Sequence, residues 1–134
     1  MTPGRADLAT EFGPRTVELL SDMLGFAAIA ERLVNRGKEQ WDADEALPLA
    51  AEAVVLKLGE AVARLPPAFV HRHGHLRLRA VKGMRDLVAH EYGSVDSEIL
   101  WEAMAVSLPA LASAITHLLA PSASASDQSV VETP

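Results

Sequence analysis

The stretch Pro14-Arg-Thr-Val-Glu-Leu-Leu-Ser-Asp-Met-Leu-Gly-Phe-Ala-Ala-Ile-Ala-Glu-Arg-Leu-Val34, closed by Asn35-Arg36-Gly37, carries the period on which the fold class turns. Val17, Leu20, Leu24, Ala27 and Val34 recur at the steps that put side chains on one face of an α-helix. Pro14 suits a first helical turn and Gly37 a stop, so the spacing predicts a helix over 14–36. The same period continues outward. Leu47, Ala51, Val54, Leu58, Val62 and Leu65 predict a second helix over 45–64, with Pro48 in its first turn and Pro66-Pro67 beyond its end. Between the two lies a polar stretch, Gly37 to Asp44, read as holding an acidic loop, Trp41-Asp42-Ala43-Asp44.

Residues 66–75 read as a connector with one short helical turn around Phe69. A third helix over 76–91 carries Leu78, Val81, Met84, Leu87 and Val88, and Gly93 breaks it. Asp96 or Ser97 caps a fourth, which runs to Leu119 through Ile99, Leu100, Met104, Leu108, Leu111, Ile115 and Leu118. Pro109 lies inside that helix and is expected to kink or split it. No strand pattern and no internal repeat appears. The expected fold is an all-α bundle of four to five helices over 14–120, with a flexible arm at 1–13 and a disordered, low-complexity tail at 121–134.

Composition narrows the function classes. The 134 residues are 49% hydrophobic, which supports one domain with a real core. Without cysteine there are no disulfides, thiolate metal sites or cysteine nucleophiles. Aromatics at 4% disfavour a stacking platform for single strands. No apolar run approaches the roughly 20 residues of a membrane span, and Met1–Gly13 lacks the apolar stretch of a secretory signal. The expectation is a cytoplasmic domain with no membrane role.

A net charge of −6 argues against generic nucleic-acid binding, but the distribution is uneven. Arg72, Arg77, Arg79, Lys82 and Arg85 fall between 71 and 85 with no acid among them. They form either a solvated helix face or a local anion-binding surface. His71, His73 and His75 alternate in the same stretch. With no nearby carboxylate they read as exposed histidines of the connector, and no metal site is expected.

The chemistry is concentrated in Gly83-Met-Arg-Asp-Leu-Val-Ala-His-Glu-Tyr-Gly-Ser-Val-Asp96, which brings together Arg85, Asp86, His90 and the single tyrosine, Tyr92. His90 is the proton-transfer candidate, because imidazole titrates near neutral pH. Arg85 offers a planar fork of donors for phosphate oxygens. An Arg–His pair without acidic ligands points to metal-free phosphodiester chemistry. Taken alone the pair is weak, since Arg64 and His71 have a similar spacing, and a helix-end ion-pair network with Asp86 and Glu91 would explain it as well. Five residues rotate a helix by roughly 500°, leaving Arg85 and His90 about 140° apart. Either the helix loosens before His90, or two copies meet across a two-fold axis. The second is the expectation.

The same string, followed by Leu100-Trp101-Glu102, closely resembles the HepT-like branch of the HEPN superfamily. Leu58-Gly59-Glu60-Ala61 and Arg64-Leu65-Pro66 match upstream, where that family's second helix ends, and the resemblance covers residues 16–119. It implies a HEPN-type bundle forming a symmetric dimer, and the toxin of a toxin–antitoxin pair acting as a metal-independent endoribonuclease without a cofactor. It further implies Arg85 and His90 as the catalytic pair, with Asp86 orienting one of them, at a cleft between protomers. Tyr92 matches the tyrosine that an MNT-type nucleotidyltransferase antitoxin modifies with AMP, the alternative being a half-buried core tyrosine with its hydroxyl at the rim. Arg77, Arg79 and Lys82 would rim the RNA cleft. The alternative is a non-catalytic helical module that docks the nucleotidyltransferase.

Overall fold

The computed structural model describes residues 4–120, so the segment 121–134 and its expected disorder lie outside the described residues. Every regular element among them is helical: α1 (Arg5–Phe12), α2 (Pro14–Val34), α3 (Lys38–Ala43), α4 (Ala46–Arg64), α5 (Pro67–Arg72), α6 (Leu78–His90), α7 (Ser97–Glu102) and α8 (Leu108–Leu119). The chain is therefore an all-α bundle. Helix α4 lies at its centre, packed on α2 along one side and on α6 along another, while α2 also packs on α8. Leu20, Met23, Ala30, Ala51, Leu58, Phe69, Leu100 and Met104 make the best-shielded part of the core.

Residues 5–12, expected as part of a flexible arm, instead form α1. Leu8 is 1% exposed, Phe12 meets the Phe69 ring edge-on at 5.3 Å, and Arg72 pairs with Glu11 at 2.6 Å. Gly13, at φ 95°, then turns the chain straight into Pro14, a conformation that an L side chain would oppose. Two apolar residues four apart are enough for a helix once a neighbour covers them, which composition alone does not reveal.

The acidic loop is likewise a helix. Trp41 of α3 is buried, its Nε1 donates to the Ser97 carbonyl at 3.2 Å, and its ring meets Trp101 at 5.2 Å. Lys38 ties α3 to α7, donating to Asp42 at 3.0 Å and Glu98 at 2.9 Å. The Glu98 bond and then the Asp42 bond raise the Lys38 pKa. Their small contribution is present below the ordinary lysine pKa and fades as pH rises through the raised one.

Pro109 neither splits nor ends the last helix. A π turn, Ala103–Ser107, joins α7 to α8, and the Leu108 N–H donates five residues back to Ala103. Widening the turn makes room for a proline that has no N–H to give. Ser97–Leu119 thus runs as one 23-residue helix with a mean hydropathy of 1.5, long and apolar enough on those measures to cross a membrane. This corrects the expectation that no apolar segment approaches that length. Its only acids, Glu98 and Glu102, lie near its start, and Leu100, Met104, Leu108, Leu111, Ile115 and Leu118 are buried in the bundle. Asp96 caps it, accepting from the Glu98 N–H at 2.8 Å.

If α1 is an integral part of the core, Leu8→Ala lowers unfolding stability by about 2–5 kcal/mol in urea titrations. A flexible arm predicts no change.

Candidate active site

Helix α6 carries the motif and packs on α4. Leu78 and Val88 are its only buried residues, while Val81, Met84 and Leu87 are half-buried against the core. It starts two residues later than the periodicity predicts. A 3₁₀ turn, Gly74–Leu76, precedes it, and Arg77 at its N-cap is the one described non-glycine residue with positive φ, 55°. Arg77 and His75 stand at the edge of an apolar groove of about 370 Å³ between α6 and α8. Arg79 and Lys82 are exposed, as a solvent-facing ridge requires.

The arginine side chain lies against α4. A Cβ on Gly59 would overlap Arg85 Cβ and Cγ and sit 3.2 Å from Cδ, so the stem crosses α4 where that helix has no side chain. Beyond the stem, Nη1 donates to Asp86 Oδ1 at 3.3 Å. Both groups are about half exposed, and such a pair orients more than it stabilises. Glu91 joins no ion pair among the described residues, so the helix-end network reduces to this single contact. The His90 side chain is exposed with no hydrogen-bonding or ionic partner among them.

Helix α6 does not loosen before His90. It stays α-helical through that residue, the Glu91 N–H still donating to Leu87 at 2.9 Å, and the break falls later, at Gly93 with φ 78°. One copy therefore holds Arg85 and His90 on diverging faces and does not aim both at one atom. Tyr92, just past the helix, is 79% exposed, which removes the half-buried reading.

Two further corrections concern histidine and a missed acid. His71 and His75 are exposed as expected, but His73 is 8% exposed, stacked on Phe69 at 4.3 Å, with Nδ1 3.1 Å from the Phe69 carbonyl. An i, i+4 contact across α5 turns its ring inward. No group of three or more His, Asp or Glu among the described residues is placed to hold a metal. The missed residue is Glu52 of α4, a carboxylate only 5% exposed, which accepts from the Gly93 N–H at 3.2 Å. The sequence signal was an acid inside the apolar run Leu49-Ala-Ala-Glu-Ala-Val-Val55.

Known proteins resemble this chain over most of its length. The family described as "Ribonuclease HepT-like" matches residues 23–118, a span that includes α6 and the whole motif. A protein of Caldanaerobacter subterraneus is 31% identical over 91 residues, covering 68% of this chain and 81% of the relative. One of Methanocaldococcus jannaschii is 26% identical over 93 residues, covering 69% and 72%. Both bear the name "Putative RNase". No solved structure matches at a significant level.

Exposure of Tyr92 is directly testable. Tyr92→Ala should change unfolding free energy by less than about 0.5 kcal/mol, and the folded protein should be nitrated by tetranitromethane as fast as a free tyrosine. A large stability loss or slow nitration would place the ring in the core.

Proposed function

We propose that this chain, which belongs to the HepT-like ribonuclease family, is a metal-independent endoribonuclease whose site is completed by a second copy. The observation that carries the reading is the regular helix through Arg85 and His90, with His90 exposed and the Arg85 guanidinium half exposed beyond a stem laid on α4. Because the two diverge on one copy, Arg85 of one protomer and His90 of its partner across a two-fold axis supply the convergence that phosphodiester chemistry needs.

In that cleft His90 accepts the proton of a ribose 2′-hydroxyl as its oxygen attacks the adjacent phosphorus. The P–O5′ bond breaks, and the departing 5′-oxygen takes that proton back from the His90 imidazolium, leaving a 2′,3′-cyclic phosphate and a 5′-hydroxyl. Arg85 stabilises the charge on the non-bridging oxygens, and Asp86, already in contact with its guanidinium, limits its rotation. Arg77, Arg79 and Lys82 guide the flanking phosphates. Nothing in this scheme asks a metal to supply charge or a nucleophile.

The partner reading follows from Tyr92. Its exposed hydroxyl lies two residues past His90, where a nucleotidyltransferase can reach it. AMP attached there adds negative charge and bulk beside the RNA path and silences the site. The chain then acts as the toxin of a toxin–antitoxin pair in the cytoplasm, restrained by an MNT-type nucleotidyltransferase antitoxin.

The test is cleavage of RNA in EDTA by protein whose intact mass shows no adduct. Wild type should leave cyclic-phosphate ends and fail on 2′-O-methyl substrate, and Arg85→Ala or His90→Ala should each lose about 10²–10⁴-fold in rate. Mixing the two inactive variants should restore about a quarter of wild-type activity, because half the dimers formed then carry one intact composite site. Unmodified wild type that leaves RNA intact would favour the binding-module alternative.

A further inference from the structure

We propose that Glu52 and Gly59 of α4 are positioning residues that hold the two ends of the motif, Gly59 at Arg85 and Glu52 at the turn after Tyr92. The catalytic part of this inference rests on the ribonuclease reading above. Seven residues separate the pair, which brings them to within about 20° of one stripe and about 10 Å apart along the helix. That stripe faces the motif, since the Arg85 stem lies on Gly59 and the Gly93 N–H reaches Glu52 Oε1 at 3.2 Å. One helix face thus sets both the distance of α6 from α4 and its position along it.

Gly59 does the first. The atoms that an added Cβ would strike are the root of the Arg85 side chain, which cannot swing away as a side-chain tip can. Relief requires the backbone of α6 to move, and Arg85 moves with it. Open space at Gly25 and Gly83 shows that helical glycine in this chain is not otherwise a mark of close packing.

Glu52 does the second. A buried carboxylate is expensive to desolvate, and Glu52 has no cation to offset this among the described residues. Asp42, Asp44 and Glu45 line the same cleft, and the cation nearest them, Lys38, is paired with Asp42 and Glu98, not with Glu52. An apolar residue would serve packing better. What a carboxylate adds is a strong acceptor for the N–H of Gly93, the residue whose left-handed conformation ends the motif.

The experiment compares Gly59→Ala, Glu52→Ala and Glu52→Gln in the full chain labelled with ¹⁵N. It reads kcat and KM on an oligoribonucleotide, the Arg85 side-chain Nε–H signal (assigned by its loss in Arg85→Lys), the Gly93 amide signal and thermal unfolding. Gly59→Ala should shift the Arg85 signal and lower kcat by about 10–100-fold, with KM changed less than about threefold. Glu52→Ala should move the Gly93 signal and lower kcat, whereas Glu52→Gln, whose amide oxygen accepts the same bond, should restore both. Wild-type kcat with an unmoved Arg85 signal in Gly59→Ala, or equal behaviour of the two Glu52 variants, overturns the proposal. Should Gly59→Ala fail to fold, exchanging the two Cβ positions in Gly59→Ala/Arg85→Gly must restore cooperative unfolding, and its failure to do so also overturns it. Wild type that cuts no RNA defeats the ribonuclease reading alone, since the Arg85 and Gly93 signals still report whether α4 places α6.

Discussion

The close approach of α6 to α4 at Gly59 is the contact on which the rest of the site depends. Helix α4 buries Leu47, Val54, Val55, Leu58 and Val62 among its neighbours, and its position is over-determined by the bundle. Helix α6 is anchored on one side only, with two buried residues in thirteen and Val81, Met84 and Leu87 half-buried against the core. A helix so lightly buried takes its location from whichever rigid element it touches, and here that element is α4. Light burial is also what leaves the outer face of α6 free to be polar. Asp86 and His90 stand in solvent at little cost, and Arg85 lays its stem on α4 while its guanidinium reaches water, whereas the same groups inside α2 or α4 would have to be desolvated.

The long helices were legible because many residues vote on the same period. The expected 14–36 and 45–64 are realised as Pro14–Val34 and Ala46–Arg64, and a run of five or six apolar positions outweighs any single exception. The short elements were not legible for the converse reason. Helices α1 and α3 together hold few apolar residues, and what orders them is distant in sequence. Helix α1 packs on α2, Phe12 meets Phe69 of α5, and Trp41 reaches across to Ser97. Helices this short are marginal alone and exist through tertiary contact. Pro109 shows a third kind of limit: the rule that proline breaks a helix is sound, but a π turn is another way of satisfying it.

The motif residues were legible, their arrangement only in part. Helical arithmetic separated Arg85 from His90, and the structure then removed the escape of a loosened helix, because the break falls at Gly93 and not before His90. Glu52 and Gly59 stand beyond that kind of reasoning. Gly59 has no local mark beyond the string that holds it, and a helix-period reading treats an acid such as Glu52 in an apolar run as a blemish on the buried face. Its partner, Gly93, is 41 residues away, and no local pattern names a partner at that range.

The start of α6 breaks local rules three times within a few residues. Arg77 adopts a left-handed conformation, which costs a residue with a Cβ on the order of 1–2 kcal/mol. No side chain caps the first N–H groups, and no acid occupies the first turn. Arg77 and Arg79 stand there instead, where the helix dipole is already positive and cations are disfavoured by a few tenths of a kcal/mol each. None of this serves the stability of α6, for which an aspartate cap and a glutamate would do better. All of it produces unneutralised positive potential on a chain of net charge −6. At the other end of the helix the sign reverses, with Asp42, Asp44 and Glu45 around the cleft beside Gly93. The start of α6, with Arg77, Arg79 and Lys82 exposed, is thus opposite in sign to the cleft beside Gly93. Local departures from stable design are expected where a surface is kept for a ligand, and here they leave the start of α6 positively charged.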